Sequence, residues 1–410
     1  MNKRNLFSFV WLLALGTVSL PAQTKQAKKI GDFIESTSYN EHKRGAERTL
    51  QYYPEGDDFV CINGKNRFTR ALYGSWSPFR LETSDRPVFA AYDKRNSKHI
   101  RFLLQGRGLS VALDSIEFCE ARYTAGRRTY LLKDAALGKG TLSVSVLAFP
   151  DADGAVWKFS AKDLAEDMVL RCFISEIRAK KLSRNGDMGA DPPGCFEAPE
   201  KPQMQKEYDL PLTDEAYLVL ENLDLKLVPL DEGRRLYQKA EDARKALASR
   251  IRFTTPDPYF NTLGGALAVA ADGIWDGQVW LHGAVGWRMP LSGWRAAYTG
   301  DALGWHDRAR KHFDAYAASQ VTDVPNMIPH PAQDSALHLA RSVKKWGTPQ
   351  YSNGYICRNP RRNNQMHHYD MNLCYIDELL WHFNWTGDLE YARQMWPVIT
   401  RHLAWEKLNY

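Results

Sequence analysis

The sequence has no Cys-x-x-Cys pair, no His-Glu-x-x-His, no Gly-x-Ser-x-Gly, no Walker loop and no complete Gly-x-Gly-x-x-Gly. Those absences exclude a finger-type zinc site, a zincin protease, the simplest esterases and the common nucleotide-binding loops. Six cysteines (Cys61, Cys119, Cys172, Cys195, Cys357, Cys374) are too few and too scattered to form a disulfide scaffold in a chain of 410 residues. They read as small buried hydrophobes. A strong charge of one sign is also missing. The net charge is +6, two of those charges are Lys3 and Arg4, and the rest is spread along the chain. Nucleic acid is therefore not an expected partner.

Long apolar runs are absent beyond the run Leu6–Leu20, whose fifteen residues fall short of the roughly 20 that a membrane span needs. Lys3 and Arg4 ahead of it and Ala22 behind it mark residues 1–22 as a secretory signal peptide. No cysteine lies near the cleavage point, so a lipid anchor is not expected. The mature chain has no membrane span, and its expected location is periplasmic or secreted.

What is present divides in two. From about Tyr52 to Leu230, stretches rich in branched and aromatic residues (Asp58–Asn63, Arg86–Tyr92, His99–Leu104, Thr141–Phe149, Ala155–Phe159, Met168–Ile174) alternate with turn clusters such as Asn63-Gly64 and Asp151-Ala152-Asp153-Gly154. Glu120–Leu132 reads as a hairpin about Thr124-Ala125-Gly126-Arg127. Many strands without helices between them imply a large antiparallel β-sandwich over 23–230, with a short disordered start. Residues 184–213, dense in glycine and proline, read as an irregular excursion. Leu236, Ala240, Ala243 and Leu247 then recur at helical spacing, a linker helix within 231–255.

Beyond Asp257 the period is helical, with Asp257 as an N-cap and Pro258 at the first helical position. Phe260, Leu263, Leu267, Ala270 and Ile274 form one apolar face. Others are Trp305/Ala309/Phe313/Tyr316, Tyr369/Asn372/Leu373/Ile376/Leu380/Phe383 and Ala392/Trp396/Ile399/Leu403. Tyr298-Thr299-Gly300-Asp301 is nearly repeated as Trp385-Thr386-Gly387-Asp388. Each reads as a helix–helix corner, glycine ending one helix and aspartate capping the next. Two long loops, about 275–290 and 321–367, fall at the opposite end from these corners, where function is usually carried. Ten of thirteen tryptophans and nine of eleven histidines lie after residue 256. Such rings suit a carbohydrate cleft.

Pro256-Asp257-Pro258, Trp275-Asp276-Gly277, Gly293-Trp294-Arg295 and aromatic-Thr-Gly-Asp followed by Met395-Trp396-Pro397 resemble the six-hairpin glycosidase superfamily. The run Tyr53-Pro54, Asp58-Phe59-Val60, Asn63-Gly64, Arg67-Phe68 and Arg70–Gly74 resembles an uncharacterised secreted subgroup of it. The resemblance implies a β-sandwich, a linker helix and an (α/α)6 toroid of αα-hairpins. Residues 256–410 are enough for two to three hairpins, so the toroid is expected to be incomplete. It also implies hydrolysis of glycosidic bonds in a complex oligosaccharide or polysaccharide by inversion. A glycan phosphorylase or lyase, or a non-catalytic glycan-binding fragment, are the alternatives.

Inverting hydrolysis needs two carboxyl groups roughly 6.5–9.5 Å apart. Asp276 and Asp370 are the catalytic candidates at the loop end. Trp275, His282, Trp287, Arg288, Trp294, Arg295, His367 and His368 are the substrate-binding candidates. Asp301 and Asp388 read as caps, and Glu378 as a solvated or paired group. No metal and no cofactor is expected, and the partner is a carbohydrate substrate.

Overall fold

The computed structural model describes residues 51–409 except 66–67, 94–95, 107, 165–166, 179–195, 284–287, 294–295, 324–351 and 362–370. The expected leader, 1–22, lies outside the described residues, as do residues 184–195 of the irregular excursion.

Side-chain alternation builds the first half. In β8 (Phe118–Thr124) and β9 (Arg127–Lys133) every second residue is buried, the period of a strand with one face on a core. Ala125-Gly126 turns the chain between them, with Gly126 at φ +84°, a conformation that favours glycine. One sheet has eight strands, in the order β1 (Tyr53–Glu55), β2 (Asp58–Ile62), β8, β9, β10 (Thr141–Ala148), β11 (Gly154–Lys162), β14 (Ala216–Glu221), β15 (Asp224–Leu227). The other runs β13 (Gln205–Pro211), β12 (Val169–Glu176), β6 (Ser97–Gly106), β5 (Phe89–Tyr92), β4 (Arg80–Ser84), β3 (Phe68–Leu72), with β7 (Leu109–Ala112) also on β6. The ladders β9–β10–β11 and β5–β6–β12 are antiparallel.

Residues 205–211 correct the sequence reading. They are not irregular but form β13, in register with β12 from Val169↔Pro211 to Ser175↔Gln205. An edge strand makes one ladder only, so it tolerates polar composition and a terminal proline, and it carries little hydrophobic signal.

Between the sheets Phe89 and Phe102 meet Tyr130, Trp157 and Phe159, all fully buried. Phe89 lies edge-on to Trp157 at 5.4 Å and to Tyr130 at 5.8 Å, the geometry aromatic quadrupoles favour. One ion pair also crosses this core. Arg128 of β9 reaches Asp85, just past β4, at 3.3 Å, with both side chains at 0% exposure. Cys61, Cys119, Cys172 and Cys357 are buried thiols, whereas Cys374 is exposed.

Helix α1 (Leu230–Ala248) lies on the outer face of the eight-stranded sheet, its Ala240 packed with Leu147, Phe149, Val156, Tyr217 and Val219. Buried Glu241 fastens it there by accepting from Arg127 of β9 at 3.0 Å, and it also accepts from Arg244 of its own helix at 2.6 Å. Five further helices follow among the described residues: α2 (Pro258–Gly273), α3 (Ala296–Ala302), α4 (His306–Ala317), α5 (Met371–Thr386) and α6 (Leu389–Asn409). With the sheets they form one unit, Pro54–Tyr410. The pair α3–α4 follows α2 and the pair α5–α6 packs on α3 and α4, around a core of Trp275, Trp280, Trp305, Phe313, Tyr316, Tyr375 and Tyr391. The class is therefore β-sandwich plus packed helices. Among the described residues no closed toroid is formed. No helix among them is long and apolar enough to cross a membrane.

Two expectations change here. The expected apolar faces are split: Phe260, Leu267, Leu373, Trp396 and Leu403 are 46–60% exposed, whereas Asn372 and Ile376 of α5 and Ile399 of α6 are buried. Thr262, Gly264 and Ala268 face in on α2, and on α5 the polar Asn372 and His382 share the buried side with Tyr375, Ile376 and Leu379. Period identifies a helix, but with apolar residues on both sides it does not choose the buried side. Secondly, the two Thr-Gly-Asp turns are not equivalent. Gly387 at φ +65° ends α5, and Asp388 Oδ1 accepts the Tyr391 N–H at 2.9 Å, so the second is a true capped corner. The first lies inside α3, whose corner comes later at Gly304, φ +71°. Asp301 is buried and its carboxylate meets two histidines instead of capping.

Gly300 is helical, and Trp280 fills the space where a side chain would begin: an added Cβ would lie 2.2 Å from Cη2 of that indole. In an exposed helix Gly→Ala stabilises by about 1 kcal/mol. Here Gly300→Ala is expected to reverse that sign and destabilise by roughly 1–3 kcal/mol through overpacking. Urea unfolding midpoints decide it, and a midpoint above wild type would contradict the close contact.

Candidate functional site

The loop that leaves α2 is folded by its own polar groups. Asp276 Oδ1 accepts from the backbone N–H of Gln278 at 3.0 Å and Val279 at 2.9 Å, closing a turn in which Gly277 takes φ +95°. Trp275 and Trp280 then pair across an isolated antiparallel bridge, with ring centroids 4.7 Å apart. Leu281 pairs similarly with Pro290, and the half-buried His282 donates its backbone N–H to Met289 O at 2.9 Å.

Trp275 is 1% exposed, so no face of its ring is open to a sugar; it is a core residue, a correction of the sequence reading. Apolar burial of a large ring outweighs exposure wherever neighbouring aromatics can surround it. Arg288 is likewise a brace. Nη1 donates to Gly273 O at 2.9 Å, and Nη2 donates to Trp76 O at 2.6 Å and Trp275 O at 3.4 Å. Burial lowers its pKa from the usual guanidinium value. These bonds fasten the sandwich loop between β3 and β4 to the end of α2. Arg288 thus replaces a substrate's carbonyls with the protein's own.

Trp76, on that sandwich loop, was not singled out by sequence. It is 48% exposed, the indole Nε1 donating to Asp272 Oδ1 at 3.4 Å. Arg308 pairs with Asp272 at 2.7 Å and stands over the Trp76 ring at 5.2 Å from its centroid. Ser75 and Ser77 both bond Asp153, which holds the loop. The only available signal was a lone tryptophan among serines in a turn.

The helical loop reaches Trp76 at Gly277, between Asp276 and Gln278. A Cβ on Gly277 would stand 3.4 Å from the indole Cε3. Arg361 Nη2 donates to Asp276 Oδ2 at 2.5 Å, and its Nε donates to Gln278 Oε1 at 3.1 Å. Arg361 is about half exposed (46%) and the Asp276 side chain 13% exposed. A part-exposed indole beside an oriented guanidinium, an amide and a carboxylate can stack on a flat sugar face and hydrogen-bond its hydroxyls. Trp287, Trp294, Arg295, His367, His368 and Asp370 lie outside the described residues. Glu378, read as solvated or paired, is 2% exposed on the inner side of α5, which rules out solvation.

Beneath the loop His312 accepts the Trp280 backbone N–H on Nδ1 at 3.2 Å. Burial lowers its pKa from 6.5 to about 4, so the ring is neutral at pH 7. A depressed basic group means that the unfolded chain binds the proton more tightly. Stability is complete above the unfolded value near 6.5 and falls as pH drops through 4, by roughly 3 kcal/mol in total. Unfolding free energy measured from pH 7.5 to 4 is expected to decline more steeply in wild type than in His312→Gln; parallel curves would refute it.

The architecture and this surface define a β-sandwich protein with αα-hairpins and an aromatic, polar patch where the two meet. A family model described as "Domain of unknown function (DUF4450)" matches residues 96–230, from β6 to the start of α1. No curated protein matches the chain. Among solved structures, a bacterial glucoamylase complexed with acarbose is similar at 9% sequence identity and a TM-score of 0.37. That alignment covers 63% of this chain and 53% of the glucoamylase chain, so this chain spans about half of that structure's length.

Proposed function

We propose that this chain is glycoside hydrolase-like and acts, in the periplasm or outside the cell, on a complex oligosaccharide or polysaccharide. The observation that carries the reading is the part-exposed Trp76 indole, which meets Gly277 between Asp276 and Gln278, together with the Asp276–Arg361–Gln278 cluster. A ring platform next to directional polar groups is what recognition of a pyranose requires. The motifs that resemble six-hairpin glycosidases, and the succession of sandwich, linking helix and hairpins, support the same reading.

Within it, Asp276 takes the base side of inverting hydrolysis. Both of its oxygens face donors, so it serves as an acceptor, the role a base plays toward water, and not as the proton donor. The acid is then a second carboxyl group, with Asp370, immediately before α5 in the sequence, as the candidate. Arg361 orients the base and can reach substrate hydroxyls, and Trp76 supports a sugar ring. The direct test is the leaderless chain against a panel of plant and host glycans, with products resolved by chromatography and their anomers by NMR. Release of sugars in the inverted anomer is expected. A cooperatively folded chain that binds glycan without turnover would instead leave a binding protein, and turnover only with added phosphate would mean phosphorolysis.

A further inference from the structure

Away from the loop surface, three side chains from separate segments converge near the α3–α4 corner. Asp301 lies in the last turn of α3, His306 begins α4, and His382 comes from α5, 81 residues beyond Asp301. His306 Nδ1 lies 2.7 Å from Asp301 Oδ1. His382 Nδ1 lies 2.9 Å from both Asp301 oxygens. One carboxylate oxygen and the two imidazole nitrogens all fall within 4.8 Å of one another. Asp301 and His382 are 2–3% exposed, while His306 is 48% exposed and forms the rim.

We propose that this trio is a site for a divalent transition metal, Zn(II) in the first instance. The donor set, two imidazoles and one carboxylate, is one that zinc takes at 2.0–2.2 Å in other proteins. Tetrahedral bonds of that length separate donor atoms by about 3.3 Å. The present histidine–carboxylate spacings of 2.7–2.9 Å must therefore open by about half an ångström, and the two imidazole nitrogens, within 4.8 Å of each other, must settle at the same separation. The solvent edge at His306 gives a path of entry and a fourth position for water. Proton balance is simple. A carboxylate can only accept, so each Nδ1 now carries a proton toward Asp301. Metal binding moves each ring to its Nε2–H tautomer, frees the Nδ1 lone pair, and releases no proton from neutral imidazoles. The bound ion would replace two hydrogen bonds by a coordinate link between the α3–α4 corner and α5. No sequence motif signals this site, because its ligands do not share one helix.

The test is titration of the EDTA-treated full chain with Zn(II) by calorimetry and with Co(II) by visible absorption, for wild type, His306→Ala and Asp301→Asn. Because His306 is at the surface, His306→Ala should fold even if Asp301→Asn does not. Wild type is expected to bind one equivalent, give the intense visible bands of four-coordinate cobalt and gain several degrees in thermal midpoint with zinc. His306→Ala is expected to weaken binding by roughly 100-fold or more and to lose the midpoint gain. No saturable binding by wild type overturns the proposal, and so does undiminished binding by His306→Ala, which would put the metal on other histidines.

Discussion

Arg128→Met is expected to lower the unfolding free energy by about 3–5 kcal/mol, against the 5–15 kcal/mol that a domain typically has. Arg128 and Asp85 are both at 0% exposure, and their 3.3 Å contact joins β9 of one sheet to the end of β4 in the other. The guanidinium also donates to Ser84 O at 3.0 Å and sits 5.3 Å from the centroid of the Tyr130 ring. Thr69 Oγ1 donates to Asp85 Oδ1 at 2.5 Å, so the aspartate keeps a partner when the arginine is gone. Neutral hydrogen bonds do not fully compensate a carboxylate held out of water, and that residual charge is the main source of the loss. Equilibrium urea denaturation gives the value directly. A companion variant separates charge from packing: Arg128→Met with Asp85→Asn should recover part of the loss. A loss below about 1 kcal/mol in the single variant would show that water reaches this pair in solution.

Asp276→Asn is expected to reduce turnover of a responsive glycan by about 100-fold or more, the usual range for a general base. The amide keeps the shape of the side chain but accepts on one oxygen only. It therefore cannot hold both the turn amides and Arg361 as the carboxylate does. Trp76→Ala separates recognition from chemistry. It should raise KM and leave kcat nearly unchanged, since a ring platform binds substrate and transition state alike. The far-UV signal and unfolding midpoint of Asp276→Asn must stay near wild type for the loss to be chemical. Unchanged kcat in a folded Asp276→Asn would remove this residue from catalysis and reduce it to a turn brace.

What the sequence determined by itself was periodic and local. Alternation along β8 and β9, the glycine turn between them, and Asp257 with Pro258 at the head of α2 are decided by residues a few positions apart. The Asp257 side chain does accept the Tyr259 N–H at 2.8 Å, and local chemistry of this kind survives in any tertiary setting. The long β-run and the later helical run, and hence the coarse class, follow from the same short-range rules. Only the tertiary structure decided what lies opposite each side chain. It left Phe260, Leu267, Leu373, Trp396 and Leu403 exposed while burying Ile376 and Ile399, buried Trp275, and engaged Arg288 with backbone carbonyls. It also brought Trp76 of the sandwich to Gly277 of the helical loop and Asp301 to His382. The two Thr-Gly-Asp segments show the reason most plainly. Nearly identical in sequence, they differ in setting: an indole fills the space over helical Gly300, while nothing stands within 4 Å of a Cβ on Gly387. A glycine's turn preference is a bias of about 1 kcal/mol. Packing against a buried tryptophan outweighs that bias, and it acts between residues whose spacing in the chain carries no signal of their contact.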